Sequence, residues 1–415
     1  MSINISPTIL GLTGQRVNEI TLNKHHETVH IICQRDKRRK VIDPLTGQQG
    51  TINRYIKRQV RDVPFMGYPC YPCYPCYLEI ELAQVCISKN ERRIERCDFV
   101  DKGCRFTQRF CHMISGLCRH ISIQAVSRHL NIRWETVKNI DKAYLEKTLP
   151  ALEPEKLKDL KYIGVDEEAR AKGHDYMTVI YDMVEGHLIG VETGRTSDVF
   201  TKFLKRIPKE TTEKIEAVAM DMGPAYQKSV REILPNADIV FDRFHVMKNF
   251  SNVIKNQRRI EFRRASKPGK DLLKGCYYLL LKNEDKLTEK QSDRLNNLLS
   301  ENQNLNILYL MKEQLQALWN NNDVTEMKDE LEQWCVMADQ SNMSYLKTFA
   351  RSMRKNKDGI CNYAKHQLTS ARIEAGNVSI GLIRKRARGI RDTEYFKLKI
   401  RQTSIPDEQS MFYFG

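Results

Sequence analysis

The segment YIGVDEEARAKGHDYMTVIYDMVEGHLIGVETG, residues 162–194, contains three apolar runs that are each typical of a β-strand. These runs are rich in Val, Ile, Tyr and Met, and β-branched and aromatic side chains favour strands. Only Glu185-Gly186-His187 separates the second run from the third, which predicts a hairpin. The first run, Ile163-Gly164-Val165, ends in Asp166. The segment therefore predicts the antiparallel beginning of a sheet, with a carboxylate at the end of its first strand.

Helix and strand patterns alternate after this segment. Residues 197–207 are amphipathic and predict a helix, and residues 214–222, KIEAVAMDM, predict a fourth strand. A second helix is expected to begin near Pro224, since proline is favoured in the first helical turn. Residues 237–246, ADIVFDRFHV, predict a fifth strand. The order of three strands, helix, strand, helix and strand predicts an α/β fold with a mixed sheet.

The chain has 415 residues, a formal net charge of +16 and a pI of about 9.2. Such an excess of positive charge favours a polyanionic partner, most often nucleic acid, and a merely basic soluble protein is the alternative. The N-terminus lacks the features of a signal peptide, and no apolar run approaches the roughly 18 residues of a membrane helix. We therefore expect a cytoplasmic protein with reduced cysteines and no membrane partner.

Cysteines are concentrated in residues 1–118, a region that also has β-like runs and basic clusters. Residues 67–80, GYPCYPCYPCYLEI, place Cys70, Cys73 and Cys76 three residues apart. Thiols at this spacing could bind a soft metal, but a zinc site needs four ligands and this proline-stiffened segment offers three. We interpret the repeat as an expanded loop in a Cys-rich DNA-binding region, with metal binding as the alternative.

Residues 119–150 have the pattern of a helix-turn-helix. Apolar residues recur at helical spacing on both sides of a short break at residues 131–132. Two short helices with a tight turn are typical of the DNA-binding motif whose second helix enters the major groove. The exposed face of the second helix predicts DNA contacts by Arg133, Thr136 and Lys138. A plain helical hairpin is the alternative.

Two acids occupy equivalent positions on different predicted strands. Asp166 follows Ile163-Gly164-Val165, and Asp221 follows Val218-Ala219-Met220. On neighbouring strands their carboxylates would converge at one edge of the sheet, where their mutual repulsion implies a bound cation. Oxygen ligands favour Mg²⁺ or Mn²⁺, and two such ions can activate an attacking oxygen and stabilise the leaving oxygen in phosphoryl transfer. Helix capping is the alternative role for either acid taken alone.

A predicted helix near the C-terminus offers a third acid. Its apolar residues recur at spacings of three and four, and Glu374, Asn377, Arg384 and Arg388 share the adjacent face. On this face Glu374 would bind a metal ion, and the other side chains would contact a phosphate backbone. The alternative is a solvent-exposed glutamate beside a basic patch.

A second basic stripe occurs in KNQRRIEFRRA, residues 255–265. Lys255, Arg259 and Arg263 are spaced by four residues, and Arg258 lies alongside. Four-residue spacing puts side chains on one face of a helix. We predict that this face binds DNA phosphates.

Four blocks of the sequence resemble conserved blocks of the ISL-three family of bacterial insertion-sequence transposases, and they occur in the family's order. The blocks are YIGVDEEARAKGHDY, AVAMDMGPAYQKSV, ADIVFDRFHVMKN and RIEAGNVSIGLIRKRARG. The resemblance covers about residues 162–396. It implies a ribonuclease-H-like DDE catalytic domain at 155–415, with a helical insertion at about 246–368.

The resemblance also assigns roles to residues. It implies that Asp166, Asp221 and Glu374 are the catalytic triad and ligands of two ions, Mg²⁺ or Mn²⁺. Asp242 and His245 resemble an Asp-x-x-His signature, which implies an accessory role in positioning DNA or the active site. Many family members have an N-terminal zinc ribbon, whose cysteine pairs are degenerate in this chain, so zinc is the less favoured cofactor.

The sequence thus predicts a transposase that binds the inverted repeats at the ends of its element and transfers the cut strand to target DNA. Its partners would be double-stranded DNA and at least one further copy of itself, because transposition must bring two ends together. A ribonuclease-H-like nuclease or resolvase is one alternative. A domesticated DNA-binding protein without catalysis is the other.

Overall fold

The computed structural model describes most of the chain, which divides into two compact units between Leu149 and Pro150. The described residues are 10–23, 25, 27–64, 74–88, 91–149, 157–171, 175–369, 371–387 and 389–404. Cys70, Cys73 and most of the Tyr-Pro-Cys repeat lie outside these ranges, as does Arg388. No helix among the described residues is both long enough and apolar enough to span a membrane.

The first unit combines a small mixed sheet with three helices. Its elements are β1 (Gln15–Asn23), β2 (Thr28–Arg35), β3 (Thr51–Asp62), β4 (Cys76–Cys86), β5 (Arg92–Ile94), α1 (Gln108–His120), α2 (Ile123–Leu130) and α3 (Trp134–Thr148). The strand order is β1-β2-β4-β3, with β5 paired to β4. Side chains alternate along β4, so that Leu78, Ile80 and Leu82 are buried in the core of this sheet.

Helices α2 and α3 form the predicted helix-turn-helix. Ser122 caps α2 by accepting a hydrogen bond from the backbone N–H of Ala125, and Asn131 ends it in the left-handed conformation, with φ of 49°. Asparagine tolerates this conformation better than most residues. Val126 on α2 and Val137 on α3 are fully buried in the core that these two helices share with α1. The prediction of two short helices around a tight turn is confirmed.

The second unit is built on the sheet that the opening segment predicts. Its first elements are β6 (Tyr162–Ala171), β7 (Asp175–Asp182), β8 (Leu188–Thr193), α4 (Ser197–Leu204), α5 (Lys209–Thr212), β9 (Ala217–Met220), α6 (Pro224–Ile233) and β10 (Asp238–Phe241). The spatial order is β10-β9-β6-β7-β8. β7 pairs antiparallel with both β6 and β8, whereas β9 and β10 run parallel to β6. The α/β class and the antiparallel start are confirmed.

The fifth strand is shorter than predicted. β10 ends at Phe241, because Asp242 accepts a hydrogen bond from the backbone N–H of Phe244 and thereby begins a helix. The residues FHV, which the sequence placed in the strand, are therefore helical. This moves His245 from a sheet edge to the first turn of a helix.

A large helical region separates β10 from the two last helices. It contains α7 (Arg243–Arg264), α8 (Lys267–Leu273), α9 (Tyr277–Leu281), α10 (Glu289–Glu301), α11 (Gln303–Ala317), α12 (Val324–Gln340), α13 (Ser344–Lys355), α14 (Lys357–Cys361) and α15 (Tyr363–His366). α16 (Ala371–Ala387) and α17 (Thr393–Gln402) follow. The helical region shares one core with one face of the sheet, and α16 and α17 cover the opposite face.

Candidate active site

Asp166 and Asp221 lie at matching heights on neighbouring strands. The last paired position of β6 and β9 is Gly164 with Ala219, and each aspartate lies two residues beyond it. Asp221 directly follows β9, but Asp166 is not at a strand end as predicted, because β6 continues to Ala171 and pairs with β7 there. The two carboxylates nevertheless meet where the pairing of β6 with β9 stops.

A single cleft brings together all the acids that the sequence singled out. Asp166, Asp221, Asp242, His245 and Glu374 line it, together with apolar side chains of the sheet and of α16. Glu374 reaches the cleft from the first turn of α16, and its side chain is exposed. Asp166, Asp221 and Glu374 thus line one cleft, although they come from a strand, from the end of another strand and from a helix.

Asp166 is half-buried and is held by two hydrogen bonds. Its Oδ1 accepts from the backbone N–H of Glu167 at 2.7 Å, and its Oδ2 accepts from Nδ2 of Asn377 at 2.6 Å. Burial raises the pKa of Asp166, and the nearby charge of Asp221 adds to the rise, while the hydrogen bonds and His245 oppose it. The site therefore disfavours the ionised form of Asp166 unless positive charge is supplied.

The other two acids of the sheet edge have local hydrogen bonds. Asp221 accepts from the backbone N–H of Gly223 at 2.8 Å, at the start of α6. Asp242 caps α7, and its Oδ2 lies 3.7 Å from Nε2 of His245. His245 thus faces both Asp242 and the cleft, which fits the accessory position that the sequence resemblance implies.

Two further glutamates follow Asp166 in the sequence, and each lies close to an arginine. Burial raises the pKa values of both Glu167 and Glu168. Glu167 lies 3.5 Å from Arg195, and Glu168 lies 3.8 Å from Arg384, which also donates a hydrogen bond to the carbonyl of Ala169. Arg195 lies in the loop before α4, outside any periodic pattern, so its role could not be predicted from the sequence.

The predicted DNA-binding residues differ in their surroundings. Arg133 is exposed beside the helix-turn-helix, whereas Thr136 and Lys138 are half-buried. On α7, Arg259 and Arg263 are exposed and Lys255 is half-buried.

Three residues from the predicted DNA-binding set contact the protein itself. Arg258 donates to the carbonyl of Leu273 at 3.3 Å. Arg384 and Asn377 make the contacts with Ala169 and Asp166 described above.

The donor types in the cleft fit a hard divalent ion, because carboxylate oxygens are the ligands that Mg²⁺ and Mn²⁺ prefer. Within the described residues, however, no three His, Cys, Asp or Glu side chains are already arranged to hold a metal ion. Neither the cleft acids nor the described cysteines of the first unit, Cys76 included, form such a group. Glu374 and the two aspartates would therefore have to draw together around an ion.

Helix α16 can present Glu374 to the cleft because two glycines allow it to lie close to the sheet. A Cβ added at Gly376 would lie 2.7 Å from Cζ of Tyr181 and closer still to its hydroxyl oxygen. A Cβ added at Gly164 would lie 2.7 Å from Cδ1 of Ile373. Real Cβ atoms do not approach other atoms this closely. The obstacle at Gly376 is the buried ring of Tyr181, whereas at Gly164 it is the flexible ends of Ile373 and Met183, so the constraint is tighter at Gly376.

This packing makes a testable prediction for Gly376→Ala. The added methyl group must push α16 away from Tyr181, and overpacking of this kind costs about 1–3 kcal/mol. We expect a lower free energy of unfolding in urea and a loss of activity, because Glu374 moves with the helix. Gly381→Ala is the matched control, since a Cβ there meets nothing within 4 Å and alanine favours a helix. Equal stability of the two variants would contradict the described packing.

The two units together define a class of protein. A basic chain with a helix-turn-helix in one unit, and three acids in a cleft at the edge of an α/β sheet in the other, has the features of a protein that binds DNA and acts on its backbone.

Comparison with known proteins identifies the family. The family model of the ISL3 DDE transposases, described as "Transposase", matches residues 163–400, and the "Helix-turn-helix domain of transposase family ISL3" matches residues 95–145. The transposase for insertion sequence element IS1001 of Bordetella parapertussis is 32% identical over 348 residues, which are 83% of this chain and 84% of that protein. The transposase for IS1557 of Mycobacterium tuberculosis is 26% identical over 311 residues, 69% of each chain.

The chain belongs to the ISL3 family of insertion-sequence transposases. The prediction of an insertion-sequence transposase with a helix-turn-helix is thereby confirmed, and DNA is its partner.

Proposed function

We propose that the protein cleaves DNA at the ends of its element and joins the freed 3′ hydroxyl to target DNA, with Asp166, Asp221 and Glu374 as its catalytic residues. The observation that carries this proposal is the single cleft that these three side chains line. They come from β6, from the end of β9 and from α16, although up to about half the chain separates them in sequence. Such convergence of acids is what phosphoryl transfer with divalent ions needs.

Asp166, Asp221 and Glu374 would hold two divalent ions, Mg²⁺ or Mn²⁺. Bound there, the ions would activate the attacking oxygen and stabilise the leaving oxygen. The chain's own contribution is to hold the carboxylates ready, through the hydrogen bonds to Asp166 and Asp221, in a partly buried place. The raised pKa of Asp166 supports this role, because a cation would offset the cost of keeping its carboxylate ionised.

The sheet topology supports a ribonuclease-H-like core. Its three antiparallel strands come first in the chain, and the two parallel strands, β9 and β10, add on the side of β6. The helical region from α7 to α15 then stands as an insertion between this sheet and α16. We propose that the catalytic domain spans 155–415 and that residues 1–118 and 119–150 form the Cys-rich region and the helix-turn-helix.

Element-end recognition is proposed for the helix-turn-helix, with Arg133, Thr136 and Lys138 on the DNA side of α3. The exposed Arg259 and Arg263 of α7, together with Lys255, would neutralise phosphates. α7 begins at the cleft with Asp242 and His245, so a duplex along its basic face would lead to the acids. Because two element ends must be joined in one reaction, we propose a homodimer or larger assembly on DNA.

A strand-transfer assay tests this function and separates it from the nuclease alternative. The purified protein is incubated with labelled element-end DNA, a target plasmid and Mg²⁺. A transposase yields end DNA covalently joined to the plasmid, whereas a nuclease or resolvase lacking strand transfer yields cut ends alone. A domesticated binding protein shifts the DNA in a gel but produces neither. Cut ends without joined product would overturn the strand-transfer part of the proposal.

A further inference from the structure

Asn377 is one helical turn beyond Glu374 on α16, and it reaches Asp166 on the sheet. Its Nδ2 donates to Oδ2 of Asp166 at 2.6 Å across 211 residues of sequence. This hydrogen bond directly ties the helix that carries the third acid to the strand that carries the first. Because it ends on a carboxylate, it is stronger than a bond between neutral groups.

The other end of the same amide is unusual. Oδ1 of Asn377 is buried and accepts no hydrogen bond from the described part of the chain. A buried polar atom left without a partner costs about 1–3 kcal/mol, and almost all such atoms in folded proteins have one. The asparagine therefore keeps its contact with Asp166 although its own carbonyl oxygen has no partner among the described residues.

Packing of the helix does not by itself require this asparagine. α16 is already docked by Ile373 against Gly164 and by Gly376 against Tyr181. An apolar side chain at 377 would avoid the cost of the unpartnered oxygen. The docking of the helix therefore does not explain why an amide at this position contacts Asp166.

We propose that Asn377 is a positioning residue of the metal site, which holds the carboxylate of Asp166 through its Nδ2 donor. This inference rests on the proposed function of Asp166 as a metal ligand. It assigns Asn377 to the ion site and not to the phosphate backbone. Second-sphere partners of metal ligands typically affect metal affinity 10–100-fold when they are removed.

The test is a titration of the DNA-free protein with Mn²⁺, in which electron paramagnetic resonance measures the free ion. We expect Asn377→Ala to weaken Mn²⁺ binding by about 10-fold or more. Val378→Ala is the matched control, because Val378 is the next residue on α16 and 63% exposed. The control should bind Mn²⁺ as the wild type does. Wild-type affinity in Asn377→Ala would overturn the proposal.

A double-mutant cycle asks whether Asn377 acts through Asp166. In an Asp166→Asn background, Asn377→Ala should change Mn²⁺ affinity by less than about 2-fold, because coupled residues do not contribute independently. The same 10-fold loss in both backgrounds would show that Asn377 acts elsewhere and would refute the proposal. If the wild type itself bound no Mn²⁺, or Asp166→Asn left its affinity unchanged, the proposed function of Asp166 would fail instead.

Asn377→Asp covers the case in which the alanine variant does not fold. Aspartate keeps the shape of asparagine, but its ionised form lacks the N–H donor and sets a second negative charge against Asp166. We expect strand transfer to fall at least 10-fold in this variant, with thermal unfolding monitored alongside. Full strand transfer by Asn377→Asp would contradict a role as donor to Asp166.

Discussion

Asp166→Ala is expected to abolish strand transfer while element-end DNA is still bound. Removing one of the shared carboxylates should disrupt the ion site, and the transition-state stabilisation lost is on the order of 4 kcal/mol or more, which is at least about 10³-fold in rate. DNA binding should survive, because the side chain lies in a small cleft and the residues proposed to recognise the element ends lie in the first unit. Strand transfer is measured by joining of labelled end DNA to a plasmid, and binding by gel shift.

The control for this variant is Glu185→Ala. Glu185 is an exposed acid in the β7–β8 hairpin of the same unit, outside the cleft, so its removal should leave activity intact. Asp166→Ala that retains strand transfer would disprove the catalytic assignment. Simultaneous loss of binding and of the cooperative thermal transition would instead indicate a folding defect, and Asp166→Asn would then replace it.

Deletion of residues 1–149 is expected to remove recognition of the element ends. The first unit carries the helix-turn-helix, and a specific DNA-binding protein typically prefers its site by a factor of at least about 10³ over other DNA. The remaining unit should bind all DNA weakly, with an affinity that falls steeply as salt rises, because phosphate contacts alone remain. Footprinting on element-end DNA measures the specificity, and gel shifts at several salt concentrations measure the slope.

A point variant tests end recognition by the helix-turn-helix more narrowly than the deletion does. Arg133→Ala removes an exposed basic side chain at the start of α3 and should cost about 1–3 kcal/mol of specific binding if Arg133 reads a base. Glu146→Ala, exposed near the other end of α3, should have a much smaller effect. An unchanged footprint after the deletion would mean that end recognition lies in the second unit.

Local patterns allowed much of this structure to be predicted. The helix-turn-helix follows from apolar spacing and from an asparagine that accepts positive φ, both of which are properties of neighbouring residues. The strand order along the chain follows in the same way. The end of β10 was misplaced because Phe244 and Val246 extend the apolar residues of the strand, whereas Asp242 accepts a hydrogen bond from the backbone N–H of Phe244 and thereby begins a helix.

Contacts between distant residues could not be predicted from such patterns. Asn377 was assigned to a DNA-facing stripe because it shares a helical face with Glu374, but the face is turned so that its amide meets Asp166. Which strand a helix face packs against depends on the whole sheet and on close contacts such as Gly376 with Tyr181. Likewise, the sequence of the first unit showed β-like runs, whereas its five-stranded sheet depends on pairings such as β2 with β4.

Asp166→Cys most directly tests whether Asp166 holds a catalytic divalent ion. A thiolate is a poor ligand for Mg²⁺, whereas the softer Mn²⁺ accepts it more readily. We predict that this variant performs strand transfer with Mn²⁺ at a rate at least 10-fold above its rate with Mg²⁺, a preference larger than that of the wild type. Wild-type activity of Asp166→Cys in Mg²⁺ would show that Asp166 is not a ligand of the catalytic ion.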